Sequence, residues 1–370
     1  MLTLVIPTKN RSAFLDRALR YYAAVSCQFP ILIGDSSDPE HLTKTQRTLR
    51  SLSSQLQVHH MTGVPPATSQ AAGWQQDATL QDLIQHVQTP YVAFVADDDF
   101  AVVNHLQAAT HFLEAHPEYS FVSGKMALFF LTSGITHGEI QAVEPYAQQT
   151  ILDDDPARRL TAFLSHYTVL EYGVSRTHQK RARWQQIMSS QADNLIGELM
   201  NGCLSVLQGK IKQLDHLLVV RQAHSQQTSA RVQDAFDWVS HPSFSNHWSR
   251  LLSILTQELV SRTGWEAPEA RKVVTNALWS YLYQVVTKEW AGRYGRRPAP
   301  WRESIRQRPT VRMMWYTLRA AIPGMEPEMS LPALLRRSSP YHADFEPIYH
   351  TVTRSALSES ESLPDPVVVS

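Results

Sequence analysis

The chain reads as an α/β fold with a mostly parallel sheet, followed by a mainly helical C-terminal part. Two observations carry that expectation. Short apolar runs alternate with amphipathic stretches through the first part of the sequence, and from about Phe236 onward only the helical period remains. Leu2–Ile6 is a continuous apolar run stopped by Pro7, and Ala13–Val25 follows it at helical spacing. Pro30–Gly34 is a second strand ending at Asp35-Ser36-Ser37. His41–Gln55 reads as a helix, Leu56–Met61 as a third strand, and Gly63–Gly73, with its prolines and small residues, as a loop. Asp77–Val87 is a helix and Tyr91–Val95 a fourth strand. Val102–Ala115 is a helix stopped by His116-Pro117, and Tyr119–Ser123 is again strand-like. Further on, Trp248, Leu251, Leu252, Leu255 and Leu259 recur at helical spacing, as do Val274, Ala277, Leu278, Tyr281, Leu282, Val285 and Val286.

The run Tyr91–Phe100 (YVAFVADDDF) is the most telling. An apolar strand ends in Asp97, Asp98 and Asp99, and ligands of open α/β sheets gather at strand carboxyl ends. Three adjacent carboxylates repel unless a cation lies among them. Hard oxygen donors suit Mg2+ or Mn2+, often shared with a phosphate-bearing substrate; the plain alternative is a solvated acidic turn. A second triplet, Asp153–Asp155, precedes Pro156 and an amphipathic pattern, so it reads as a helix start.

Thirty-four basic residues balance thirty-four acidic ones, which gives the molecule no bias toward nucleic acid. Cys27 and Cys203 are the only cysteines, too few for a disulfide framework or a CxxC zinc site, and fit a reducing cytosol. Without a basic leader or a long apolar run, the expectation is a soluble cytoplasmic protein. Arg293–Arg319 holds eight arginines against Glu303, a net charge of +7. That segment is either a solvated connector or a surface patch for a phosphate-rich substrate or for anionic lipid, as a peripheral contact with the inner face of the plasma membrane. Residues 354–370 read as a polar tail, expected to be disordered.

Three strand ends offer Thr8-Lys9-Asn10-Arg11, Asp35-Ser36-Ser37 and Asp97–Asp99. With LVIPTKNR, ILIGDSS, TPYVAFVADDDF, FLEAHPEYSFVSGK and GKIKQLDHLLVVRQ in this order, residues 1–225 resemble the GT-A glycosyltransferases of the family 2 type. The resemblance implies a Rossmann-like catalytic domain over 1–225, with a helical region over 226–353. It implies a hexosyltransferase of polysaccharide biosynthesis with an inverting mechanism, a nucleotide-sugar donor, and a glycan or lipid-linked acceptor. It also implies a divalent cofactor, Mn2+ or Mg2+. By that resemblance, Asp97 and Asp99 match the ends of the DXD motif, with Asp99 as metal ligand and Asp97 on ribose or metal. Asp98 faces the sugar, Asp35 holds the nucleoside, and Thr8 and Arg11 line the same pocket.

Inverting transfer needs a base within reach of the acceptor hydroxyl. The family's acidic pair is missing here. Glu198 is the best match and Asp193 the second, although Asp193 equally reads as an N-cap and Glu198 as a wet-face residue. His166, Tyr167, Glu171, Tyr172 and Arg176 fall where such enzymes meet their acceptor, Leu170–Thr177 reading as strand. Two alternatives stand beside the enzyme: an inactive nucleotide- or sugar-binding scaffold, and a nucleotidyltransferase, which the absence of a Gly-rich first loop disfavours. The helical part is a candidate homodimer surface.

Overall fold

The computed structural model describes residues 1–63, 82–190, 193–225, 227, 235–294 and 328–353. Their centre is one mixed sheet in the order β3-β2-β1-β4-β8-β6-β9-β5, with β7 paired to β6. The strands are β1 (Leu2–Thr8), β2 (Ile31–Asp35), β3 (Val58–Thr62), β4 (Tyr91–Phe94), β5 (Phe100–Ala101), β6 (Tyr119–Leu131), β7 (Ile140–Tyr146), β8 (Val174–Arg176) and β9 (Lys210–Ala223). β1, β2, β3, β4, β6 and β9 share one direction, whereas β5, β7 and β8 oppose it. The α/β class with a mostly parallel sheet therefore holds. β1 and β2 are buried along their whole length, as their unbroken apolar runs require.

β1 runs past Pro7, where the sequence suggests a stop. Odd-numbered residues of β1 turn their backbone groups toward β4, as Val5 does in accepting from Val95 N–H. Pairing with β4 ends at Val5–Phe94, so the missing N–H of Pro7 leaves no ladder bond unmade. β6 extends far beyond the expected Tyr119–Ser123 and pairs in parallel with β9 from Tyr119–Lys210 to Phe130–Ala223.

Helices α1 (Ser12–Ala24), α2 (Pro39–Ser51) and α3 (Val103–Ala115) are the expected crossovers. α4 (Pro156–Ser165) starts as read: Asp155 accepts from Ala157 N–H, with Pro156 at the first helical position. α5 (Thr177–Ser190) and α6 (Asn194–Gln208) follow. In the C-terminal part, α7 (Ala235–Ser240) and α8 (Phe244–Thr263) lead into α9 (Ala267–Tyr294), and α10 (Leu331–Leu335) and α11 (His342–Thr353) close the chain. Leu251, Leu255 and Leu259 of α8 and Val274, Ala277 and Leu278 of α9 are buried at the predicted spacing. These side chains join the same hydrophobic cluster as the sheet. Most of the predicted 63–73 loop, the segment 295–319 and the tail 354–370 lie outside the described residues, as do residues 77–81 of the 77–87 helix, whose residues 82–86 are helical.

Candidate active site

Because β1, β2 and β4 are parallel, Thr8, Asp35 and the 95–99 turn end on one edge of the sheet. Thr8 pairs in register with Asp35, and Asp35 with Thr62. Strand order reverses at β1, with β2 on one side and β4 on the other, which is where such sheets open a ligand crevice. β9 shares the direction of β1 and brings Arg221, Gln222 and His224 to the same edge.

All three aspartates of the triplet are buried, and each is met by a cation of the chain itself. Arg11 bridges two of them, with Nη1 3.0 Å from Asp97 Oδ1 and Nη2 2.5 Å from Asp98 Oδ2. Thr8 donates its hydroxyl to Asp97 at 2.7 Å. His224 Nε2 lies 2.8 Å from Asp98 Oδ2, its ring stacked on Phe14. Asp99 accepts from Arg221 Nε at 3.0 Å and from the Gln222 N–H at 2.9 Å, which joins the turn to β9. Beneath them Arg17, 1% exposed, donates to the Asp98 carbonyl at 2.7 Å and to Gln222 Oε1 at 2.6 Å. Burial pushes Asp97 up to about 7 and Asp99 to about 6, against the pull of Arg11 and Arg221 respectively. For Asp98 burial is outweighed by His224 and Arg11, and its carboxyl falls to about 2.

A divalent ion does not fit Asp97 and Asp99 as they are arranged. Their oxygens are already engaged by Thr8, Arg11, Arg221 and the Gln222 amide. Among the described residues, no group of three His, Cys, Asp or Glu side chains is placed to hold a metal. The cation that the acidic triplet demands is supplied here by guanidinium groups.

Asp35 is fully buried, accepting from Ser37 N–H at 3.0 Å and lying 3.2 Å from His60 Nε2. It therefore builds the turn after β2, and its carboxyl is held below the usual range because the His60 and Ser37 contacts outweigh its burial.

The two candidate bases part company. Asp193 N-caps α6 by accepting from Ile196 N–H at 2.8 Å; its other oxygen meets His247 at 3.1 Å and Trp238 Nε1 at 3.3 Å. Glu198, one turn on, is solvent-accessible yet recessed among protein atoms, so burial raises its carboxyl. It accepts from the Tyr167 hydroxyl at 2.8 Å, and Arg221 lies within its electrostatic reach. The Arg221 guanidinium that holds Asp99 sits 4.1 Å from the Tyr172 ring and 4.7 Å from that of Tyr146.

The remaining acceptor candidates have structural work. Glu171 pairs with Lys180 at 2.6 Å and accepts from Asn201, in a buried network. Arg176 donates to the Leu113 and His116 carbonyls, closing the C-terminal end of α3. His166 caps α4, and only Val174–Arg176 of the expected strand is strand. Sequence reasoning passed over Phe14, Arg17, Tyr146, Arg221, Gln222 and His224. The pattern used for Asp97–Asp99, an apolar run ending in polar residues, recurs in Leu217–His224 (LLVVRQAH) and points to the last three.

No family model and no curated protein matches the chain. Among solved structures it is similar to S. aureus TarS 1–349 in complex with UDP-GlcNAc, at 12% identity and a TM-score of 0.48, covering 95% of this chain and 89% of that one. Against a longer S. aureus TarS structure the identity is 10% and the TM-score 0.46, and the match spans 54% of that chain, about half its length. The mannosyltransferase PcManGT from Pyrobaculum calidifontis, in complex with GDP-Man and Mn2+, matches at 13% identity and a TM-score of 0.40, over 86% of this chain and 84% of that one. At that level the likeness is one of chain trace and lends no residue assignment.

Proposed function

We propose that the chain is a glycosyltransferase that moves a sugar from a nucleotide-sugar donor to a hydroxyl of a glycan, polysaccharide or lipid-linked acceptor. The supporting observation is that Arg221 holds Asp99 of the triplet at 3.0 Å and also lies within electrostatic reach of Glu198. Residues 1–225 carry the reaction in this reading, and 226–353 form the helical part. Asp35 and Thr8 line the nucleoside side, and Arg11 and Arg221 provide positive charge beside the diphosphate. The acceptor oxygen attacks the anomeric carbon as the bond from that carbon to the diphosphate oxygen breaks. Its electron pair leaves with the nucleoside diphosphate, and Glu198 takes the acceptor proton, giving inversion. Tyr172 and Tyr146 hold the Arg221 plane in place.

The Mn2+ or Mg2+ that the family resemblance implies would have to displace Arg11 or Arg221 from the aspartates, and no step here runs through it. The charge pairing of all three aspartates also favours a second reading, a binding module that keeps the pocket without turnover. A thermal-shift panel of UDP, GDP, UDP-GlcNAc and GDP-mannose, each with Mn2+, Mg2+ or EDTA, tests the donor site. A nucleotide at about 100 times its dissociation constant adds about 2.7 kcal/mol of stability. Glu198→Gln is expected to keep that shift and to lose sugar transfer by at least about a hundredfold. A retained shift with unimpaired transfer removes Glu198 as base; no shift with any nucleotide removes the donor site.

A further inference from the structure

Helix α9 buries Val274, Ala277, Leu278, Tyr281 and Leu282 against α4 and α8. A helix with one buried face ordinarily turns polar residues to water on the other. Here Trp279, Tyr283, Trp290 and Tyr294 stand there, 58%, 70%, 53% and 66% exposed. Their spacings of four, seven and four residues put all of them in one stripe along the helix. Among the described residues only seven large hydrophobic side chains are left exposed, and four of them form this stripe. So concentrated a patch marks a contact surface and not scattered surface apolarity.

The chemistry of the stripe selects the partner. Trp and Tyr carry an apolar ring and a polar tip, the combination that settles at the boundary of acyl chains and headgroups. From Trp279 to Tyr294 the row runs straight for about 22 Å, so it can lie along a flat interface. Lys272 falls seven residues before Trp279 on the same exposed face. At the other end the sequence enters the arginine-rich stretch from Arg293 to Arg319, eight arginines against Glu303. Such charge favours an anionic surface.

We propose that the exposed face of α9 is a docking surface for an anionic lipid bilayer, with Trp279, Tyr283, Trp290 and Tyr294 seated at the headgroup level. This is independent of the glycosyl-transfer reading and fails or stands separately from it. The test is flotation of the full chain with vesicles of phosphatidylcholine alone or with about 30% phosphatidylglycerol, together with light scattering. The protein should float with the anionic vesicles only, and Trp279→Ser/Trp290→Ser should weaken that association about tenfold or more. Both side chains project to solvent, so the variant should melt with the parent protein. Failure of the parent chain to float with anionic vesicles overturns the proposal. So does equal flotation of the double variant, which would assign binding to the arginines alone. A solution dimer that the double variant dissolves would make the stripe a self-association surface and likewise overturn it.

Discussion

Tyr167 shows how a single hydroxyl sets the working state of Glu198. Its O–H donates to the carboxylate at 2.8 Å, while Tyr281 of α9 packs edge-on against its ring at 5.0 Å. Burial raises the Glu198 carboxyl; the Tyr167 hydrogen bond and Arg221 pull it down, and Glu171 adds to the rise. Tyr146 and Tyr281 also lie within its electrostatic reach. A base must be ionised to act, so the raised value moves the acid limb of activity above the ordinary glutamate range. Tyr167→Phe removes a contact to the ionised form, and the acid limb of the kcat/KM profile should move to higher pH with its plateau largely kept. A uniform loss at every pH would mean that Tyr167 only packs. That tyrosine was legible in the sequence only as a possible acceptor residue. Its partner lies thirty-one positions away on another helix, a distance that no local pattern spans.

At the scale of elements, α6 illustrates how one acid can be local in meaning and its neighbour not. Asp193 sits where N-caps sit, and its bond to Ile196 N–H follows from sequence alone. Asp193→Ala should cost roughly 1 kcal/mol or somewhat more, since the His247 and Trp238 contacts go with the cap. Urea unfolding measures that loss, and sugar transfer should persist; loss of transfer with unchanged stability would return Asp193 to the candidate bases. The strand β9 carries the opposite lesson. The run GKIKQLDHLLVVRQ stood out in the sequence only as part of a resemblance; its length as a strand and its parallel pairing with β6 could not be read there. Those pairings are what deliver Arg221, Gln222 and His224 to the triplet.

Over the whole molecule, the last described segment returns to the sheet. Phe345, Ile348 and Val352 of α11 are fully buried, and α11 packs on α1, β7 and β9. Lys125 of β6 meets Asp215 at 2.7 Å and Glu328 at 2.6 Å, and Asp344 lies 2.7 Å from His105. The first two pairs are exposed on their acidic side and contribute little by themselves. Apolar burial is the stronger tie, so Phe345→Ala should lower stability by about 3–5 kcal/mol in a denaturant melt. A change below about 1 kcal/mol would show that α11 is only loosely held.

The sequence by itself determined the α/β class, the order of the first strands and helices, the start of α4 at Asp155 and the buried faces of α8 and α9. These depend on periodicity and on capping chemistry, both local. It also placed Thr8, Asp35 and Asp97–Asp99 on one edge, because parallel strands put their carboxyl ends together. Only the tertiary structure decided what neutralises the triplet. An acidic cluster requires positive charge without specifying its source, and here Arg11 and Arg221 arrive from sequence separations of about a hundred residues. The compensating guanidinium groups meet the aspartates through space, and chain order does not record that.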